Sequence, residues 1–284
     1  MRQLVAVLGT GVVDASDAVV TADDLGINRG DGVFDAARVV SDAAGVRVEL
    51  LEPHLARFAR SHQKMGMAEP DLAAWRALIE EAVAAWDVPG EAILKLIATR
   101  GLEHEPGAPG ASFLTLTAAD TAPCPPLRVI TLTTGRASDA FADAPWLLGG
   151  VKSLSYAVNV AVAREAKRRG VDDVLFTSSD GYCLEGPRSG LLVRFGDAFV
   201  TTPVAGTGIL DSVTIGAVAE GLRSRGLAFS ERLVTPAELI ASDGGWLLSA
   251  GRGVAEIVAL NGFPVATDAE ASALLRELAG FGTA

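Results

Sequence analysis

Lys152 stands between a Gly-Gly pair and an apolar run in LLGGVKSLSYAVNVAVAREAKRRG (147–170). The chain has 284 residues and writes positive charge almost entirely as arginine, with only Lys64, Lys95, Lys152 and Lys167 among its 24 basic residues. An amine loses its proton and attacks a carbonyl, which a guanidinium cannot do. The competing reading is a snorkelling lysine at the start of a helix. Two other stretches bear on the choice. In GTGILDSVT (206–214) glycines lead into Asp211, Ser212 and Thr214 at the mouth of a predicted helix. The free N–H groups and dipole of such a first turn suit a phosphate, although a merely capped helix reads the same way. In LEG (184–186) a carboxylate, Glu185, interrupts an apolar strand, where the plainer alternative is a solvent-facing side chain. An amine nucleophile, a phosphate cradle and a carboxylate able to face a ring nitrogen are together the handles that pyridoxal phosphate requires.

Other chemistries find less support. GTGVVD (9–14) lacks the third glycine of a dinucleotide fingerprint and no convincing helix follows it. His54, His62 and His104 are the only histidines, and neither H-x-x-x-H nor C-x-x-C occurs, so no metal site is expected. GPRSG (186–190) fails the spacing of a nucleophile elbow. A net charge of −11 argues against nucleic acid as a partner, the one basic cluster, REAKRRG, being a solvated helix end. Cys124 and Cys183, far apart and in unlike contexts, read as separate thiols of a reducing cytoplasm. The N-terminus is too short in apolar residues for a signal peptide, and no stretch reaches the roughly 18 apolar residues of a membrane span. A soluble, cytoplasmic protein is expected.

The elements that must position these groups alternate between the two periodicities. LVAVLG reads as a strand, and GVFDAARVV and VRVELL as two strands around the turn SDAAG. HLARFARSHQKMG reads as a helix closed by Gly66, and DLAAWRALIEEAVAAW as a helix capped by Asp71. AILKLIATR and ASFLTLT complete a first half. AADTAPCPP (118–126) is the best linker in the chain. Beyond it LRVITLTT begins a second half, with a helix over 156–169 capped by Ser155 and closed by Gly170. DVLFTS, GYCLEG, GLLVRF and AFVTTP read as four strands, with SSDG making the first turn. The expected fold class is α+β (mixed α/β) in two domains, 1–118 and 127–284, joined by 119–126.

Six segments in order carry a resemblance: RGDGVFDAARV (29–39), PHLARFARS (53–61), LKLIATRG (94–101), VKSLSY (151–156), DDVLFTSSDGYCLEGPRS (172–189) and GILDSVT (208–214). Over roughly residues 3–265 the chain resembles the fold-type IV pyridoxal-phosphate enzymes, the class IV aminotransferases that include branched-chain and D-amino-acid aminotransferases and aminodeoxychorismate lyase. The resemblance implies a two-domain enzyme with pyridoxal 5'-phosphate held where the domains meet. It implies that Lys152 forms the Schiff base and that Glu185 faces the pyridine nitrogen. Arg57 would hold the phosphate from one side, and the backbone of Val213 and Thr214, with the Thr214 hydroxyl, from the other. Tyr156 would lie near the ring hydroxyl. Arg29 and Arg100 would meet substrate carboxylates, Arg29 across the interface of a homodimer. The wording is nearest to aminodeoxychorismate lyases, which convert 4-amino-4-deoxychorismate to 4-aminobenzoate and pyruvate in folate synthesis. A D-alanine-type or branched-chain aminotransferase is the alternative, and an inactive binding relative a third reading. Three positions depart from the family pattern: Asp35 where Glu is common, Gly190 where Asn or Thr is common, and Arg252 in SAGRG (249–253), where a small hydroxyl is common. Arg252 has three readings, a third substrate contact, a specificity change or a solvent-facing side chain.

Overall fold

The computed structural model describes residues 2–119 and 124–281. Residues 120–123, the centre of the expected linker, lie outside it. The chain divides into two compact units, the first comprising 1–122 with Val151–Tyr156, the second 123–150 with 157–284. No helix among the described residues is long and apolar enough to cross a membrane.

The first unit contains, in chain order, β1 (Gln3–Val7), β2 (Gly11–Val13), α1 (Leu25–Asn28), β3 (Gly32–Asp42), β4 (Gly45–Val48), α2 (Leu51–Lys64), α3 (Leu72–Ala84), β5 (Gly90–Thr99) and β6 (Ser112–Ala118). Its six strands form one antiparallel sheet in the order β2-β1-β6-β5-β3-β4. GTGVVD is the hairpin between β1 and β2, which disposes of the dinucleotide reading. Alternation along β3 sends Val33, Asp35, Ala37 and Val39 into the core, and the apolar members pack with Leu55 and Phe58 of α2 and Trp75 and Ile79 of α3. Asp35 is the charged exception on that buried side. Asp71 caps α3 as expected, accepting from the amides of Ala73 and Ala74. The opposite sheet face carries Phe34 and Ala36 of β3, whose register partners on β5 are Ile97 and Lys95.

The second unit contains β7 (Leu127–Thr133), α4 (Ala157–Arg168), β8 (Asp173–Thr177), β9 (Glu185–Gly186), β10 (Ser189–Phe195), β11 (Ala198–Thr201), α5 (Val213–Ser224), β12 (Ala228–Glu231), α6 (Pro236–Ile240), β13 (Gly244–Ser249), β14 (Gly253–Leu260), β15 (Phe263–Pro264) and α7 (Ala269–Leu278). Its mixed sheet runs β12-β11-β10-β13-β14-β7-β8, with β15 beside β14 and β9 beside β10. Leu192, Trp246 and Leu248 pack against Val218 and Leu222 of α5 and Leu275 of α7. Cys124 and Cys183 are free thiols, and burial pushes the Cys183 thiol up to about 12.

Two expectations need correction. Ser155 does not cap α4: the helix starts at Ala157, and the Ser155 hydroxyl donates to the Gly30 carbonyl at 3.2 Å. GYCLEG is not a full strand, because its backbone bonds to different neighbours in succession. Cys183 N–H donates to Val234 and Leu184 N–H to Phe176, leaving only Glu185–Gly186 to pair with β10.

Candidate active site

Lys152 belongs to the first unit although it lies between two segments of the second. Its carbonyl accepts from Phe34 N–H at 2.9 Å, and its N–H donates to Ser61 Oγ of α2 at 3.3 Å. Leu154 N–H donates to Gly32, and Ser153 bridges Val33. These bonds lay VKSL against the start of β3. The side chain then points to the Phe34 face, where Nζ stands 4.5 Å from the Phe34 ring centroid and 5.6 Å from that of Tyr156. The two rings meet edge to face at 5.2 Å. An amine set among aromatic faces exchanges water for ring quadrupoles and sits at a defined place.

Arg57 projects from α2 into the first unit's core, where it is 6% exposed. Its Nε and Nη2 donate to the two Asp35 carboxylate oxygens, each at 2.8 Å, in the bidentate geometry that fixes a guanidinium plane. Asp35 also lies 2.7 Å from His54 Nδ1 and accepts from Ala36 N–H. Burial raises the Asp35 carboxyl, but Arg57 and His54 outweigh it and hold the group down at about 2. Asp35, a departure from the family wording, is the carboxylate that orients Arg57.

The two arginines of this unit expected to meet substrate, Arg100 and Arg29, are engaged within the chain. Arg100 donates from Nε to Asp31 at 2.6 Å, and from its terminal nitrogens to the carbonyls of Gly66 and Met65 at 3.0 and 2.7 Å. Arg29 is largely exposed and pairs with Glu103.

In the second unit Glu185 is half-buried, and its carboxylate accepts from Leu210 N–H at 3.2 Å. It lines a shallow pocket with Leu184, Phe176, Thr207, Gly208 and Ile209. Gly208, at φ +75°, lies against the Phe141 ring so closely that a Cβ would overlap it. A few residues on, Ser212 caps α5 by accepting from Ile215 N–H at 3.3 Å. The first-turn amides of Val213 and Thr214 belong to the group that a helix leaves without an internal carbonyl, and Thr214 is 3% exposed. Gly190 explains its own departure: a Cβ there would stand 2.9 Å from Ile215 Cγ1 and 3.3 Å from Ser212 Cβ, inside the capped turn. Arg252 does not point to solvent. It pairs with Asp173 and lies 3.5 Å from Ser189 Oγ. Among the described residues no group of three or more His, Cys, Asp or Glu is placed to hold a metal ion.

Sequence reasoning missed Asp35, His54, Ser61 and Asp173 as partners of the expected site groups. The one signal available for Asp35 was its phase: it alternates with Val33 and Ala37, so it had to be buried.

Residues 32–260 match the amino-transferase class IV family. The chain is 35% identical over 277 residues to a bifunctional aminodeoxychorismate lyase / D-amino acid transaminase of Mycobacterium tuberculosis, covering 91% of this chain and 92% of that protein. It is 25% identical to a D-alanine aminotransferase of Bacillus licheniformis, over 91% and 89% of the two chains. Among solved structures, a fold IV transaminase of Curtobacterium pusillum superposes with a TM-score of 0.90 at 36% identity, covering 98% of this chain and 99% of that one. A hypothetical aminotransferase of M. tuberculosis, solved with α-ketoglutarate and pyridoxamine phosphate, does so at 0.90 and 34% identity, over 98% and 97%.

Proposed function

The chain belongs to amino-transferase class IV, a family of pyridoxal 5'-phosphate enzymes, and from that premise we propose that it is an aminodeoxychorismate lyase that also transaminates D-amino acids. The observation that carries this reading is the Lys152 amine held over Phe34 and Tyr156 by two backbone hydrogen bonds. The M. tuberculosis protein that joins both activities, similar along nine-tenths of both chains, supports pairing them here.

The donor set suits each part of the cofactor. Lys152 supplies the amine for its carbonyl, and Glu185 a carboxylate for its ring nitrogen. Arg57, with the Val213 and Thr214 amides and the Thr214 hydroxyl, offers positive charge and donors for a phosphate dianion. Tyr156 supplies a phenol for the ring hydroxyl. When bound, the cofactor withdraws electrons from the substrate carbon that bears the amine. The Lys152 amine would take the proton from that carbon and return it at another atom of the substrate. Ionised Glu185 keeps the ring nitrogen protonated. Asp35 and His54 hold Arg57 rigid, so little order is lost when the phosphate is bound. Arg29 and Arg100 meet substrate carboxylates after exchanging Glu103 and Asp31 for them, and the functional unit is a homodimer of a soluble, cytoplasmic enzyme. Arg252 is held by its pair with Asp173 beside Ser189.

An anaerobic absorbance scan of cofactor-loaded protein tests the reading. Lys152→Ala abolishes turnover and the visible absorbance of lysine-bound pyridoxal phosphate. Glu185→Ala keeps the cofactor and slows turnover by roughly 100-fold or more. D-alanine without a keto acid discharges the visible band with one pyruvate per site, and 4-amino-4-deoxychorismate yields 4-aminobenzoate and pyruvate in equal amounts. A band that survives D-alanine removes the transaminase half, and absence of 4-aminobenzoate removes the lyase half.

A further inference from the structure

The Glu185 carboxylate is placed by a loop. Its backbone pairs with Gly190 of β10, while its side chain accepts from Leu210 N–H at 3.2 Å. Leu210 lies in the connection 202–212 between β11 and α5, which is neither strand nor helix. Two glycines of this connection, Gly206 and Gly208, have φ of +79° and +75°. Such a segment has many accessible conformations, so its position depends on what it packs against.

Phe141 supplies that packing. Its N–H donates to the Gly206 carbonyl at 3.1 Å, and Gly150 N–H donates to the Gly208 carbonyl at 2.9 Å. The ring enters between two glycines: a Cβ at Gly208 would lie 2.4 Å from Phe141 Cδ2, and one at Gly149 would lie 2.6 Å from Cδ1. Both ring edges therefore rest against bare Cα atoms. The Arg136 guanidinium stands 5.3 Å from the ring centroid. The stretch 136–141 is itself tied down. Ser138 N–H and Oγ–H donate to the Asp180 carboxylate at 2.9 and 2.7 Å, and Ser179 N–H donates to the Arg136 carbonyl at 2.7 Å. All of these residues belong to the second unit.

Phe141 is not a core side chain. It is half-buried and stands outside the three apolar clusters of the described residues. It lines instead the pocket that Glu185, Gly208 and Ile209 also line. We propose that Phe141 is a positioning residue for Glu185: it holds the segment Thr207–Leu210 so that Leu210 N–H stays on the carboxylate. The proposal rests on the reading above that Glu185 faces the ring nitrogen, and it names the part of the fold that keeps Glu185 there. An N–H donated to a carboxylate favours its ionised form. With that donor withdrawn, the carboxylate is a stronger base and takes up the proton that it otherwise leaves on the ring nitrogen.

Phe141→Ala removes the ring and leaves Glu185 in the chain. In the cofactor-free protein, amide hydrogen exchange at Leu210 accelerates roughly 10-fold or more, because its N–H has lost a fixed acceptor. In the holoenzyme loaded with nitrogen-15-labelled pyridoxal phosphate, the ring nitrogen loses its proton roughly 1 to 2 pH units lower than in wild type. The kcat for D-alanine falls roughly 10- to 100-fold, the range of one charged hydrogen bond, while KM stays within about 3-fold. Phe141→Tyr restores all three, because the glycine contacts lie at Cγ, Cδ1, Cδ2 and Cε2 and a para hydroxyl leaves them intact. Should Phe141→Ala not fold, Phe141→Leu carries the same test. A purely structural role lowers the melting temperature and moves neither Leu210 exchange nor the ring-nitrogen titration, and that outcome overturns the proposal. Faster exchange at Leu210 with a wild-type ring-nitrogen titration overturns it as well. Failure of the underlying reading is a separate result, seen when Glu185→Gln leaves the ring-nitrogen titration as in wild type.

Discussion

Asp35 combines a fully buried carboxylate with a bidentate arginine and a histidine, and the balance of those partners sets what a substitution does. Asp35→Asn keeps the shape and removes the charge, leaving the Arg57 guanidinium in the core without its counter-ion. Breaking one side of a buried pair costs about 3–5 kcal/mol, so urea unfolding should report a loss of that size. Pyridoxal phosphate affinity should fall as well, because Arg57 loses its fixed orientation. The pH dependence follows from the same contacts. The folded carboxyl sits at about 2, below its unfolded value of roughly 3.9. A depressed carboxylate adds stability that is complete above the unfolded value and is lost as pH falls through the folded one. The stability difference between wild type and Asp35→Asn should therefore shrink by about 2 kcal/mol between pH 4 and pH 2. A difference that stays constant across that window would mean that Asp35 acts through shape alone.

At the scale of elements, the N-terminus of α5 depends on how closely β10 approaches it. Gly190 permits that approach, and Gly190→Ala drives a Cβ into Ile215 and the capping Ser212. Overpacking of this kind costs about 1–3 kcal/mol. Because the displaced turn carries the Val213 and Thr214 amides, cofactor affinity should fall even where thermal denaturation shows the protein still folded at assay temperature. Unaltered cofactor affinity in Gly190→Ala would separate this turn from the phosphate. These elements also mark what the sequence reveals. The β3–β4 hairpin, α2, α3 and α5 were legible, because alternation, helical spacing and caps such as Asp71 are local signals. The Asp35–Arg57 pair was not, since it joins residues 22 apart through the packing of a helix on a sheet. Ser155 misled for a related reason: its sequence suits a cap, but the chain there is already committed to β3 and Gly30. GYCLEG failed because a period of two says nothing about whether neighbours arrive in one strand or in several pieces. Gly190 and Asp35 read as departures from a family pattern until their neighbours were in place.

For the whole molecule, the proposed dimer has a physical signature of its own. Helix α4 is thinly covered, with only Ala166 fully buried, and Val158 and Val160 are 65% and 49% exposed. Trp146 is 74% exposed and Leu148 is also in solvent. Isolated exposed apolar side chains are ordinary, but a helix left this bare together with a bare tryptophan favours burial against a second copy. Each copy carries a net charge of −11, so association has to overcome repulsion between like-charged molecules. The two terms respond to salt in opposite directions from an ion-paired interface: screening weakens the repulsion and leaves apolar contact intact or stronger. Sedimentation equilibrium of the holoprotein should therefore show a dimer whose dissociation constant falls as sodium chloride rises from 20 to about 300 mM, over which the Debye length contracts several-fold. The double variant Val158→Asp/Val160→Asp places two further charges on the bare helix and should sediment as a monomer at the same concentrations, with its far-ultraviolet circular dichroism unchanged. A dimer that loosens with added salt would point to an interface built on ion pairs, and one indifferent to the double variant would place the contact away from α4.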